Sequence, residues 1–301
     1  MARLNRPSPA AVRRLRWAVP AVVGATIAAA ALIPQAAAGS EQPRLPARTA
    51  AQLLVDVRGA LPAGLSGTIV QTARLGLPSL PATGRGGTGL DLQSLATGSH
   101  TARVWYAGRD RQRVALLGEL SETDVVRDGR DVWTYSSDQN AATHLRLPGR
   151  DAAGTAAIPV PGSPRQVAEQ ALATVDPTTA VSVDRTARVA GRPAYQLVLT
   201  PRDGRTLVAS VRIARDSATS VPLRVQVYTR GQSAPGVEVG FTDISFRVPA
   251  PSVFHFTPPA GARVTERAVT ADGVTGGSDA VRPTVIGHGW TAVLETRTRL
   301  A

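Results

Sequence analysis

The sequence predicts a mainly β protein built on a single curved antiparallel sheet, with two helices available to cover its apolar face. About ten short segments alternate apolar and polar residues with a period of two, which is typical of half-buried strands. The connections between them are short turns without crossover helices, and such connections join antiparallel neighbours. Only two stretches show helical periodicity, and so wide a sheet tends to curl.

The N-terminus predicts export across the cytoplasmic membrane. Residues 1–16 are basic, an uncharged run extends from Trp17 to Ala38, and Ala36-Ala37-Ala38 fits the small-residue rule for signal-peptidase cleavage. The run is close to the ~20 residues that span a bilayer, so residues 1–38 are either a cleaved signal peptide or a retained membrane anchor. We therefore expect a cell-envelope protein, anchored by this segment or secreted after cleavage near Ala38, with a linker over residues 39–48.

A first helix is predicted from Thr49 to Arg58, because Thr49 and Gln52 have the spacing of a capping box. Leu53, Leu54 and Val57 fall on one face of this helix.

A strand over Gly67–Arg74 comes next, followed by a long loop, Leu75–Ser99, which is rich in Gly, Pro, Ser and Thr. Loops of this length are typical of functional lids or disordered segments. The loop contains Gly84-x-Gly86-x-x-Gly89, but it lacks the preceding strand and following helix that a dinucleotide site needs. We interpret it as a loop with apolar residues, and its lid candidates are Leu77, Leu80, Leu90 and Leu92.

Val125–Leu147 carries the clearest β pattern, a meander of three strands joined by polar turns. Asp128-Gly129 predicts a tight hairpin of type I′, and Trp133 and Tyr135 share one face of the next strand. The strands predicted in this half are Thr101–Ala107, Arg111–Leu117, Thr123–Asp128, Asp131–Ser136 and Ala142–Leu147.

A second helix is predicted to begin at Ser163, with a proline at its first position. The apolar parity changes along Val237–Val248, which predicts a β-bulge near Thr242 and Asp243. Further strands are predicted at Thr179–Val189, Pro193–Thr200, Thr206–Arg215, Leu223–Thr229 and Val237–Val248, with Val253–Pro259 closing the sheet. This gives one domain over residues 49–266, then a tail over residues 267–301 of uncertain structure, with one late strand at Thr284–Leu294.

The net charge of +12 comes from 34 basic residues, all arginine, against 22 acids. Five of these arginines precede Trp17, and the others are spread through the strands rather than gathered in a stripe with exposed aromatic residues. Nucleic-acid binders concentrate such charge, so we expect no nucleic-acid partner. A solvated basic surface is the simpler interpretation, and attraction to the anionic cytoplasmic-membrane surface is the functional one.

The sequence contains no constellation that predicts catalysis, a metal site or a cofactor. Cysteine is absent, and the four histidines are too far apart for metal-site spacing. Ser66, within Gly64-Leu-Ser66-Gly67, resembles half of a nucleophile elbow but follows a helix instead of a strand. A hydrolase is therefore disfavoured, and loss of turnover in Ser66→Ala would support it.

Several segments together resemble the LolA/LolB/LppX superfamily of bacterial lipoprotein and lipid carriers. Val125–Leu147 has Asp-Gly-x-x-Val-Trp-x-Tyr and Asp-Gln-Asn-x-x-x-x-Leu elements, and Pro222–Val264 has Gly-Phe-Thr-Asp and Phe-x-Phe-Thr-Pro-Pro elements. Arg103–Val114 and the helix from Ser163 also fit. The resemblance covers roughly Thr49–Glu266, and the superfamily also includes the N-terminal domains of MucB/RseB regulators and sporulation-associated membrane proteins.

The resemblance implies an unclosed β-barrel with its helices as a lid over an apolar cavity for acyl chains. It also implies a strand arginine that assists ligand release, for which Arg103 and Arg113 are the candidates. The chain departs from the lipoprotein members because it has no N-terminal Cys. It also lacks a clear second domain of the MucB/RseB type, which disfavours an anti-sigma-regulator role.

We therefore expect an extracytoplasmic, non-enzymatic protein that carries a lipid or the acyl chains of a lipoprotein. The alternative is a membrane-anchored envelope sensor that acts through a membrane protein partner. The candidate cavity-wall residues are Leu53, Leu54, Val57, Trp105, Trp133, Tyr135, Leu197, Leu199, Val225 and Phe241. Trp105, Trp133, Tyr135 and Phe241 also have a plain interpretation as core residues.

Overall fold

The structure is a computed structural model that describes residues 43–57, 62–75, 98–147, 162–268, 284–287 and 289–295. The chain divides into two compact units, residues 1–41 and 42–301, and the described residues all belong to the second. The signal or anchor segment, the lid leucines and the Gly84–Gly89 motif lie outside the described residues. In the described part of the chain, no helix is long and apolar enough to cross a membrane.

The described elements are two α-helices, fourteen strands and two short 3₁₀ turns. The helices are α1 (Ala50–Val57) and α2 (Pro164–Ala173), and the 3₁₀ turns are Pro251–Phe254 and Gly289–Thr291. The strands are β1 (Leu65–Ala73), β2 (Gly98–Tyr106), β3 (Arg111–Leu117), β4 (Glu122–Asp128), β5 (Asp131–Ser136), β6 (Ala141–Arg146), β7 (Thr179–Val189), β8 (Arg192–Pro201), β9 (Val208–Asp216), β10 (Pro222–Thr229), β11 (Val237–Ser245), β12 (Arg263–Ala268), β13 (Thr284–Ile286) and β14 (Val293–Glu295).

Twelve strands form one sheet in the order β12-β6-β5-β4-β3-β2-β1-β11-β10-β9-β8-β7. Its two end strands, β12 and β7, do not pair with each other, so the sheet is open in the described part of the chain. The predicted mainly β class, with one wide sheet and two helices, is confirmed. One pairing differs from the prediction, because β12 runs parallel to β6 and the sheet is therefore mixed.

This parallel pairing follows from the path of the chain after β11. Residues 246–262 cross one face of the sheet to the far edge and reach the end at which β6 begins, so β12 then runs in the same direction as β6. The predicted closing strand at Val253–Pro259 is wrong, since a 3₁₀ turn at Pro251–Phe254 makes this crossing. The late strand predicted at Thr284–Leu294 is a pair of short strands, β13 and β14, with Trp290 in the turn between them.

Both predicted helices are confirmed, together with their N-terminal caps. At α1, the Thr49 amide donates to Gln52 Oε1 at 2.9 Å and the Gln52 amide donates to Thr49 Oγ1 at 3.2 Å, a complete capping box. At α2, the Gln166 amide donates to Ser163 Oγ at 3.2 Å.

Two local features of the sheet test predictions made from the sequence, the bulge in β11 and the turn between β4 and β5. The predicted bulge is confirmed: Thr242 is the extra residue, because Asp243 pairs with Thr68 while Phe241 pairs with Ile69. Gly67 lies against this bulge, where a Cβ would stand 2.4 Å from the Asp243 carbonyl oxygen.

In the β4–β5 hairpin Asp128 pairs with Asp131, and only Gly129 of the two central residues has a positive φ. This is the pattern of a type II′ turn, so the predicted type I′ turn is wrong.

The pairing registers assign every strand residue to one of two faces, since directly opposed residues point to the same side of a sheet. The face that both helices cover, here called the helix face, carries the hydrophobic core. On β8 to β11 one row of this face is Leu197, Ile213, Val225 and Val239. On β2 to β6 the same face continues as Val104, Val114, Val125, Thr134 and Thr143. The opposite face is here called the arm face, because residues 251–262 of the C-terminal arm (residues 246–268) lie across it before β12 joins the sheet edge.

Candidate functional site

The centre of the helix face is a closed apolar core beneath α1 and α2. Leu53 of α1 has no exposed surface, and Leu54 packs against the same core in a half-buried position. Six of the candidate cavity-wall residues lie in this core. Besides Leu54 they are Leu53, Leu197, Leu199, Val225 and Phe241, each no more than 8% exposed. Side chains without accessible surface have no void next to them that could hold a ligand. A ligand at this position must displace a helix.

The helix face becomes more open towards the β6 edge. The helices pack against β7, β10 and β11, whereas Val125, Val132 and Leu145 on β4 to β6 are only half-buried. Leu116 on β3 joins this row to the core. Threonines 123, 134 and 143 lie between these apolar residues on the same face. The result is an apolar surface that continues from the core beyond the helices.

Three aromatic candidates lie on the opposite face of the sheet, whereas the fourth, Phe241, belongs to the core described above. Trp105 pairs with Arg113, and Trp133 and Tyr135 point to that same side of β5, away from Leu197 and Phe241. One arm-face row crosses six strands as Trp105, Arg113, Val126, Trp133, His144 and Glu266. The structure thus brings six candidates together and separates three from them. Val57 ends α1, and its side chain is outside the described residues.

The arm-face aromatic residues form a cluster with the C-terminal arm. The Trp133 and His144 rings stack with centroids 4.1 Å apart and an interplanar angle of 6°. Phe256 of the arm approaches Trp133 at 5.4 Å and Tyr135 at 5.8 Å, both in tilted geometry. Their role in this structure is to hold the arm on the sheet.

The two arginines suggested by the resemblance also lie on the arm face. Arg103 is exposed there, and Arg113 makes a two-bond ion pair with Asp124, 2.8 Å from Nη2 to Oδ2, below Trp105. Neither side chain faces a helix. Arg215 does: it is 2% exposed, lies on the helix face, and its Nη1 donates to the Leu53 carbonyl of α1 at 3.0 Å.

Arg215 was missed because charge normally indicates a solvent-facing position. The spacing of residues along β9 could have predicted its position, since Val211, Ile213 and Arg215 follow one another at intervals of two and point to the same side of the strand. A charged residue that continues an apolar parity is a candidate for a buried contact. Leu207 has the same parity in the sequence, but it precedes β9 and is 80% exposed.

Two of the carboxyl groups with a lowered pKa, Asp203 and Asp216, each lie beside an arginine. The Arg205 side-chain hydrogen bond lowers the pKa of Asp203 to about 2 in an exposed turn. Burial raises the pKa of Asp216, but hydrogen bonds from Arg192 and Thr219 outweigh burial and hold that pKa below its ordinary value. Both groups stabilise turns at the ends of β8 and β9, and neither lies on the apolar surface.

Residues considered for catalysis do not form a site in the described part of the chain. Ser66 lies inside β1, opposite Trp105 and Ser245, and not at a strand-to-helix turn. Within the described ranges, no group of three or more His, Asp or Glu side chains could hold a metal ion.

The sequence of this chain matches one family of known proteins over most of the sheet. The family model for DUF2092, described as a predicted periplasmic protein, matches residues 89–266, which is more than half of the chain. The chain belongs to the DUF2092 family. The family description agrees with the extracytoplasmic location expected from the N-terminus, and no curated protein matches the chain.

Several solved structures are similar to this DUF2092 protein at low sequence identity. An uncharacterised conserved protein from Thermus thermophilus is 15% identical, with 72% of this chain and 99% of that chain covered and a TM-score of 0.39. MucB of Pseudomonas aeruginosa, in its complex with MucA, is 20% identical over 68% of this chain and 58% of that chain, with a TM-score of 0.38. A LolA superfamily protein from Nitrosomonas europaea is 14% identical over 70% and 99%, with a TM-score of 0.25. The second and third of these proteins carry names from the group that the sequence resembles.

Proposed function

We propose that this DUF2092 protein is a non-enzymatic binding protein that carries a lipid, or the acyl chains of a lipoprotein, on the helix face of its sheet. The observation that carries the proposal is the continuation of the buried core as a half-exposed apolar surface on β4 to β6. Val125, Val132 and Leu145 leave part of their surface accessible there. Burying that surface against an acyl chain is favourable by about 25 cal/mol per Å².

The polarity of this surface suits an acyl chain better than a polar ligand. Among the described residues of β3 to β6 on the helix face, Arg127 is the one charged side chain. It is fully buried, with Nε donating to the Gly129 carbonyl at 3.2 Å and Nη2 3.5 Å from Asp110 Oδ1. Its charge is thus held at the turns and away from the apolar surface, where an unpaired polar group would oppose acyl binding.

The helices provide a way to extend the site. α1 has eight residues, too few to be stable alone, and it is held by the packing of Ala50, Leu53 and Leu54 and by the Arg215 contact. Displacing both α1, which packs on β7, and α2, which packs on β10 and β11, would join the half-exposed surface to Leu197, Leu199, Val225 and Phe241. The candidate wall on the helix face thereby becomes one continuous acyl-binding surface, with Trp105, Trp133 and Tyr135 outside it.

Native mass spectrometry of protein purified from its natural host tests this function. We expect co-purifying lipid and uptake of a fluorescent long-chain fatty acid. Val132→Asp places a carboxylate on the proposed surface and should abolish uptake. Val264→Asp is the matched control, because Val264 is 45% exposed on the arm face of β12 and should leave uptake unchanged. Equal uptake by wild type and Val132→Asp would contradict the proposed site.

The same experiment bears on the alternative, an envelope sensor that acts through a membrane protein. That role predicts a chain that keeps residues 1–38 in the membrane fraction and a co-purifying protein in place of a lipid. Clean apo protein with no acyl uptake, together with such a partner, would replace the carrier proposal by the sensor.

A further inference from the structure

The C-terminal arm is packed on the arm face by apolar contacts in its middle. Phe254 is 1% exposed, and Phe256 meets Trp133 and Tyr135. Arg113 Nη1 donates to the Val253 carbonyl at 3.4 Å, a long bond. These contacts order the residues around the 3₁₀ turn and do not change with pH in the neutral range.

Two histidine–carboxylate contacts also fasten the arm, one within this middle part and one near the C-terminal end of the arm. His255 of the arm lies with Nδ1 3.0 Å from Asp128 Oδ2 at the end of β4. His144 on β6 lies with Nδ1 2.7 Å from Glu266 Oε2 on β12, while its Nε2 is 2.9 Å from Asp131 Oδ1 on β5. Both contacts connect the arm to the β4–β6 meander.

His144 lies between two carboxylate groups. A neutral imidazole has one N–H and one acceptor nitrogen, and an ionised carboxylate can only accept. Both ring nitrogens of His144 face carboxylate oxygens, so only the doubly protonated ring can donate to both. The parallel stack on Trp133 adds a cation–π attraction for the charged ring.

Two of the carboxylates that face these histidines repel each other unless positive charge lies nearby. Asp128 and Asp131 are directly opposite each other across the β4–β5 hairpin, on the same face. Like charges in such pairs repel each other, and charged His255 and His144 neutralise one aspartate each. Arg111 lies opposite Asp128, and Arg146 Nε is 3.6 Å from Asp131 Oδ1, but arginine keeps its charge throughout this range. The pH dependence therefore falls on the histidines.

We propose that the C-terminal arm is a pH-responsive strap, fastened to the meander by protonated His144 and His255 and loosened when they lose their charge. Histidine is the side chain that ordinarily changes charge between about pH 5 and pH 8. The strap is thus most tightly fastened in weakly acidic solution and loosens as the pH rises through that range. Loosening raises the frequency with which the arm opens away from the Trp133–Tyr135 cluster and from the edge of β6.

Hydrogen exchange followed by mass spectrometry on the full chain at pH 5.5 and pH 8 tests the strap, with rates corrected for intrinsic exchange. We expect amides of residues 251–268 to lose protection by about threefold or more at the higher pH, while β8 to β10 stay unchanged. In His144→Gln/His255→Gln this pH dependence should disappear, and in the control His100→Gln, on β2, it should persist.

Unchanged arm protection in the wild type, or persisting pH dependence in the double variant, would overturn the proposal. If the double variant does not fold, the single variant His255→Gln decides, because that side chain is 81% exposed and carries little packing. It should reduce the pH-dependent change by about half, and an undiminished change overturns the strap as well. Acyl uptake does not enter this test, so its outcome is independent of the carrier function.

Discussion

Arg215 is the residue whose replacement most directly tests how α1 is held on the core. The variant Arg215→Met keeps a long apolar side chain in the buried position and removes the guanidinium that donates to the Leu53 carbonyl and to Ser220 Oγ. A hydrogen bond from a charged donor contributes about 1.5–3 kcal/mol. Losing the bond to Leu53 should weaken the docking of α1 by about 1.5–2 kcal/mol, which corresponds to a tenfold or greater change in an opening equilibrium.

Hydrogen exchange of the α1 amides measures that opening directly. We expect residues 51–57 to exchange at least about tenfold faster in Arg215→Met, with little change in β8 and β9. Arg212→Met is the matched control, since Arg212 lies on the same strand but on the arm face, over the Tyr228 ring. If α1 exchanges at the wild-type rate in Arg215→Met, the contact does not hold the helix and the reasoning fails.

Three further predictions concern single residues. Ser163→Ala removes the cap of α2 and should cost about 1 kcal/mol, seen as a fall in Tm of about 2–4 °C, whereas Ser163→Thr should retain most of the stability. Arg205→Gln should return the Asp203 carboxyl from a pKa of about 2 towards its ordinary range in an NMR titration, and an unchanged midpoint would exclude Arg205 as the cause. Because the pKa of Asp216 is lowered, its contribution is present above its ordinary value of about 3.9 and is lost as the pH falls below it. Asp216→Asn should therefore lower stability at pH 7 and flatten the loss of stability on acidification, as measured by denaturant unfolding at each pH.

Much of the sheet could be predicted from the sequence because its signals are local. Alternation, turn residues and the two capping patterns lie within a few residues of one another, and they gave strands close to those observed. The bulge was predictable for the same reason, since the change of parity in β11 is visible without any partner strand. The parallel edge strand β12 was not, because its pairing depends on where residues 246–262 take the chain.

The candidate site was only partly predictable, because the face of a strand is a relative property. Trp133 and Leu197 both lie in alternating strands, but the side on which each points depends on a chain of registers that runs through the strands between β5 and β8 in the sheet. A shift of one residue anywhere in that chain exchanges the faces. Of the four aromatic candidates for the cavity wall, the register keeps Phe241 on the helix face and places Trp105, Trp133 and Tyr135 on the arm face.

The free energy needed to release α1 sets a lower limit on the length of an acyl chain that could open the core. Releasing α1 exposes Leu53, at about 2–3 kcal/mol, and breaks the Arg215 bond, at about 1.5–3 kcal/mol, so opening costs about 5 kcal/mol. Each buried methylene returns about 0.8 kcal/mol, and about six methylenes therefore offset the opening. Fatty acids of four to six carbons should not bind measurably, those of twelve to sixteen should, and Arg215→Met should shift the threshold to shorter chains. A fluorescence competition series across chain lengths measures this threshold, and affinity that does not depend on length would show that the helix face is not the binding surface.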